Sequence, residues 1–168
     1  MLRFTTKFAT AVLLTALSAF FNFSPASAEW TNSEEVNALT NEKVVLTCQT
    51  SSNKLDFAFP YQGGSVGELC IRKSKAKGFE AIISITKGQI LCSSFSYCAI
   101  QARFDDKPLT RFSGILPNDG SSTYVFLLPA GRIVNELRRS KVFKVGVTFY
   151  QGGTQVLEFD TSTYKAVP

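Results

Sequence analysis

Four cysteines, at positions 48, 70, 92 and 98, are the residues of this chain whose type and spacing bear most directly on chemistry. Thiols can bind zinc, exchange disulfides or form structural bridges. The gaps of 21, 21 and 5 residues lack the close C-x₂₋₄-C knuckles of a structural zinc site. Cys92 and Cys98 stand too far apart for a C-x-x-C redox pair. Structural disulfides remain, and four cysteines allow three pairings. The expected pairs are Cys92–Cys98, closing a short loop between two strand ends, and Cys48–Cys70, tying the first strand to the one starting at Leu69.

Other reactive groups are sparse. The chain has no histidine, which removes the commonest general base and the usual hydrolase triads. Ser74-Lys75 and Ser140-Lys141 are simple neighbours, not an S-x-x-K arrangement. Asp105 and Asp106 are adjacent in turn chemistry and point apart, so they cannot flank one bond as glycosidase carboxylates do. With Asp119 they lack the spacing of a calcium loop. No cofactor is expected. Arg72, Lys73, Lys75 and Lys77 form a basic run without interleaved aromatics, which argues against nucleic acid. One cationic group keeps a functional reading. Arg132, Arg138, Arg139 and Lys141 would gather on the exposed side and end of a helix, where they could hold an acidic protein face or an anionic envelope glycan or lipid headgroup. The bland alternative is that they solvate the helix and complement its dipole.

These residues must be positioned outside the cytoplasm. Arg3 and Lys7 precede an apolar run ending near Phe23, and Ala26-Ser27-Ala28 is a small-x-small cleavage site, so residues 1–28 read as a cleavable signal peptide. The apolar core is shorter than a spanning helix, and no later stretch is long enough to cross a bilayer. No cysteine sits at the cleavage site to take a lipid. Removing 28 of 168 residues leaves 140, one ordinary domain, with 16 cations against 13 acids. The expected location is the periplasm, where disulfides form.

The elements are β-rich. Residues 29–42 are polar and read as an N-terminal arm, loose or with a short helix over Val36 and Leu39. From 43 onward strand patterns recur, at 44–48, 55–59, 69–72, 79–86, 89–92 and 123–128. The clearest are 97–104, with Cys98, Ile100, Ala102 and Phe104 on one face, and 143–150, where Phe143, Val145, Val147 and Phe149 alternate with polar partners. Between 130 and 140, Ala130, Ile133, Val134 and Leu137 form one helical stripe. A three-residue loop over 151–153 predicts Val147 opposite Leu157 and Val145 opposite Phe159. The fold class is therefore mainly β: residues 43–168 as a single antiparallel β-sandwich or related barrel, with one short helix packed on it.

The segments Arg103-Phe104-Asp105, Val125-Phe126-Leu127, Leu137, Ser140-Lys141, Phe149-Tyr150 and Glu158-Phe159-Asp160 resemble a family of small exported proteins of Gram-negative bacteria. That family includes accessory proteins encoded with type VI secretion systems. The resemblance implies a signal peptide, a β-rich domain and no catalytic motif, and it carries over no functional residues. The expected function is a non-enzymatic periplasmic binding or accessory protein, with an unknown envelope protein or anionic envelope component as partner. The rival readings are an inhibitor of an envelope enzyme, whose exposed loop plugs an active site, and a carboxylate-dependent cell-wall hydrolase.

Overall fold

The computed structural model describes residues 29–165; the expected signal segment lies outside the described residues. Among the described residues nine strands form one antiparallel sheet. They are β1 (Thr31–Val36), β2 (Lys43–Leu55), β3 (Ser65–Ser74), β4 (Gly78–Ile85), β5 (Cys98–Phe104), β6 (Thr110–Ile115), β7 (Tyr124–Leu128), β8 (Val142–Phe149) and β9 (Gly153–Asp160). Their order is β1-β2-β3-β4-β7-β6-β5-β8-β9. The helix α1 (Ala130–Leu137) joins β7 to β8.

The sheet curls until β9 meets the second half of β2, so of the two expected architectures it takes the barrel-like one. Side chains close the seam in place of a ladder. Asn53 donates from Nδ2 to the Val156 carbonyl at 2.8 Å, and its Oδ1 accepts the Glu158 amide at 2.9 Å. One side-chain amide thus supplies both halves of a backbone exchange. Ser52 Oγ donates to the Glu158 carbonyl at 3.1 Å, and Trp30 Nε1 to that of Asp160 at 3.2 Å. A free edge presents unpaired N–H and C=O groups, and these four bonds satisfy part of that row.

Period-two alternation decides what lies inside. On β8, Phe143, Val145, Val147 and Phe149 are buried while Lys144, Gly146 and Thr148 face outward. Ile100, Ala102 and Phe104 on β5, Ile83 on β4 and Leu157 and Phe159 on β9 complete a filled interior. The α1 stripe of Ala130, Ile133, Val134 and Leu137 packs into the same core at one end. A helix of eight residues is too short to stand alone, so this burial is what holds it. At the other end Phe57 and Ile90 fill the mouth, with Phe57 against Phe149 at a centroid distance of 5.0 Å.

Both expected disulfides form. Cys48 and Cys70 are directly opposite in the β2–β3 register, and Cys92 pairs with Cys98, leaving no free cysteine among the described residues.

Three expectations change. The segment read as an arm or short helix within 29–42 holds strand β1, paired with β2 from Thr31↔Cys48 to Val36↔Lys43. Asn37 explains the difference: its Oδ1 accepts the Leu39 and Thr40 amides, a local turn that competes with a helix. Trp30 anchors the strand against Tyr164 at 4.7 Å. Next, residues 56–59 leave the sheet, and 89–92 makes only the single bridge Ile90↔Phe149. Finally, the last hairpin pairs Val145 with Leu157 and Phe143 with Phe159, two residues from the expected register. Its loop is Tyr150-Gln151-Gly152. Gly153 takes the left-handed conformation at φ 62°, while a Cβ on Gly152 would fall 2.8 Å from the Phe57 ring. The two glycines serve different needs: Gly153 takes the left-handed turn conformation, and Gly152 lets the Phe57 ring approach the backbone.

Candidate functional site

Antiparallel topology sorts the connections between the two barrel ends. The segments 56–64, 86–97, 116–123 and 150–152 all emerge at the end opposite α1. That loop end carries Phe59, Leu91, Phe95, Tyr97 and Tyr150, five of the nine large apolar side chains exposed among the described residues. Scattered single apolar residues on a surface are ordinary, whereas their gathering at one end of a well-filled domain makes that end the candidate site.

The 86–97 segment is held firmly beneath its tip. Leu91 donates its amide to Thr148 at 2.8 Å, and Gln89 accepts the Tyr150 amide at 2.8 Å, fixing the segment to the end of β8. Ile90 donates to Ser122 at 2.7 Å, and Ser93 accepts the Leu116 amide at 3.0 Å, fixing it to the neighbouring connection. The disulfide then closes residues 92–98 into a ring. Its cysteines pack against the core, and Gly114 passes so close that a Cβ there would sit 2.9 Å from the Cys98 sulfur. Inside the ring Ser93 Oγ accepts the Phe95 amide at 3.0 Å and the Ser96 amide at 3.2 Å. This turn projects Phe95 into solvent with 98% of its surface exposed.

The sequence-predicted cations lie at the opposite end and are spread out. Arg132 stacks over Phe112 on β6 at 5.3 Å, and Arg138 over Phe79 on β4 at 5.9 Å. Those strands are separated by β7, so the two guanidiniums diverge around the helix. Arg139 and Lys141 are exposed beyond the helix end. Lys107 pairs with Glu136 at 2.8 Å on the same helix, adding a carboxylate to the group.

The carboxylates are largely engaged in structure. Asp105 Oδ1 accepts the Lys141 and Val142 amides at 2.8 and 2.9 Å, and those bonds hold its carboxyl below the usual range. Asp119 accepts the Tyr124 hydroxyl at 2.6 Å and the Ser121 amide at 2.8 Å; its carboxyl is lowered and the Tyr124 phenol raised by the shared bond. Glu80 meets Arg72 at 2.6 Å, and Glu158 meets Lys144 at 2.8 Å. A carboxylate kept ionised by amide donors serves as a clamp and is poorly suited to deliver a proton.

Several grooves mark the surface, two of them partly apolar and flanked by arginine. One of about 330 Å³ runs between Phe79, Leu116 and Phe126, with Arg72 above it. The other, about 260 Å³, is floored by Gly146 between Leu109 and Val156, with Arg103 facing Lys144 across the β5–β8 register. Reading the residues missed Phe95 as a site. The available signal was its setting, Ser-Ser-Phe-Ser-Tyr between two cysteines, where neither period two nor period 3.6 gives the ring a route to the core.

Comparison with protein-family models, with curated proteins and with solved structures finds no match to this chain. Among the described residues no helix is long and apolar enough to cross a membrane. The two disulfides are those of a chain folding in an oxidising, extracytoplasmic compartment.

Proposed function

We propose that this chain is a non-enzymatic periplasmic binding protein and that the loop end of its barrel is the binding surface. The observation that carries the reading is the gathering of exposed Phe59, Leu91, Phe95, Tyr97 and Tyr150 at one end of a filled barrel. The interior supports it as well, being packed with phenylalanine and aliphatic side chains rather than open to a ligand. The engagement of Asp105, Asp119, Glu80 and Glu158 in clamps and ion pairs weighs against carboxylate hydrolysis. Periplasmic placement rests on the leader-like segment together with the disulfides. The resemblance to secretion-associated accessory proteins is compatible with such a role, and the loop-end reading does not depend on it.

The test is retention of an envelope protein from the native host on the immobilised chain, compared between wild type and Phe59→Ser/Tyr97→Ser. Loss of retention with an unchanged melting curve supports the loop end as the surface. Equal retention by the double variant, with loss on Arg138→Glu/Arg139→Glu, moves the site to the cationic end.

A further inference from the structure

Resting on the binding reading, and going on to the kind of partner, we infer that the Cys92–Cys98 ring is a protein-recognition finger which seats Phe95 in an apolar pocket of a folded partner. Four features of the ring lead to this. Its tip is convex, so the complementary surface is concave. Its side chain is an aromatic of the kind that dominates binding energy when buried in a pocket. The ring is closed by a disulfide and pinned by the Ser93 turn, so little conformational freedom remains to be lost on association. Its composition, Ser93, Ser94, Phe95, Ser96 and Tyr97, is that of an antibody-like contact loop, with rigid aromatic area flanked by small hydroxyl donors.

The charge pattern chooses the partner class. From Gly88 to Ala102 the chain carries no charged residue, and the lysines of this end, Lys54 and Lys87, lie against the 62–64 turn, where Lys87 Nζ donates to the Gln62 carbonyl at 3.0 Å. A tip that inserts into an anionic membrane relies on Lys or Arg beside its aromatics to hold the headgroups. This finger has only neutral hydroxyls there, which suits the neutral rim and apolar floor of a protein pocket. A partner of this form also fits the inhibitor role, since an enzyme cleft is such a pocket. The ring differs from the cationic end of the barrel in both chemistry and place.

The test begins with Phe95→Ser, which leaves the fold intact because the side chain touches almost nothing, and Leu39→Ser serves as an equally exposed control at the far end. Full-length protein is matured in a Gram-negative host and immobilised, and a retained envelope protein is identified and purified. Its affinity for each variant is then measured by calorimetry. The expected result is a Kd at least about 30-fold weaker for Phe95→Ser, the loss typical of removing a buried aromatic anchor, and unchanged for Leu39→Ser. Cys92→Ser/Cys98→Ser should weaken binding as well, through the lost ring. Equal affinity of Phe95→Ser for the purified partner overturns the finger and leaves the binding reading standing. Sedimentation with phosphatidylethanolamine–phosphatidylglycerol vesicles, or with purified sacculi, that is lost in Phe95→Ser also overturns it, because the finger then serves a lipid or glycan. If wild type retains no envelope protein and sediments with neither probe, the binding reading itself fails and takes the finger with it.

Discussion

Replacing Asn53 with alanine removes two of the hydrogen bonds through which β2 grips β9. At 2.8 and 2.9 Å both are well formed, and each such bond is worth about 1 kcal/mol net, so the pair contributes about 2 kcal/mol. For a domain of this size that lowers Tm by about 6–10 °C. The barrel should not open altogether, because Ser52 and Trp30 still bond to the carbonyls of Glu158 and Asp160. The change is therefore local in structure and measurable in stability. Equilibrium guanidinium unfolding with disulfides intact gives the free energy, and amide exchange gives the location. The Glu158 amide should lose protection, while those of Phe143 and Val145, within the β8–β9 ladder, keep theirs. A loss below about 0.3 kcal/mol, set against the ordinary worth of two bonds, with Glu158 still protected, would refute closure by Asn53.

Gly152→Ala should destabilise by about 1–3 kcal/mol as its methyl meets the Phe57 ring, and Phe57→Ala should remove most of that penalty; additive losses in a double-mutant cycle would contradict the contact. Gly153→Ala, with open space around it but φ at 62°, should cost only about 1 kcal/mol by chemical denaturation. Burial pushes the Tyr164 phenol up to about 12, so its contribution to stability is full below pH 10 and falls as pH rises toward 12. Allowing for partial solvent screening, the loss is about 1–2 kcal/mol, and Tyr164→Phe should flatten the alkaline limb of an unfolding-versus-pH curve. Asp105 works in the opposite direction: its lowered carboxyl stabilises above the ordinary carboxylate pKa, and the contribution is lost as pH falls through the lowered value, a limb that Asp105→Asn should reduce.

How much of this was legible beforehand depended on the range of the interaction. Alternation at 98–104 and 143–149 and the Ala130–Leu137 stripe are local patterns set by side-chain period, and they appear in the structure as read. The disulfides followed from strand spacing. The hairpin register did not, because pairing Val145 with Phe159 or with Leu157 buries the same alternating face; the observed one sets Gly152 against Phe57, a contact distant in sequence. The seam was equally hidden, since Asn53 reaches residues more than 100 positions away. At the candidate site the cationic group was visible as composition, while its division between Phe112 and Phe79 required the sheet order. The loop end could not be seen at all until topology had brought four separate connections to one mouth.

The most direct test of the loop end as the binding surface is a hydrogen-exchange footprint of the chain bound to its purified envelope partner. Slower exchange confined to 56–64, 86–97, 116–123 and 150–152, strongest across the 92–98 ring, is the predicted result. Protection centred on 130–141 instead, with the loop end exchanging as in the free protein, would contradict it.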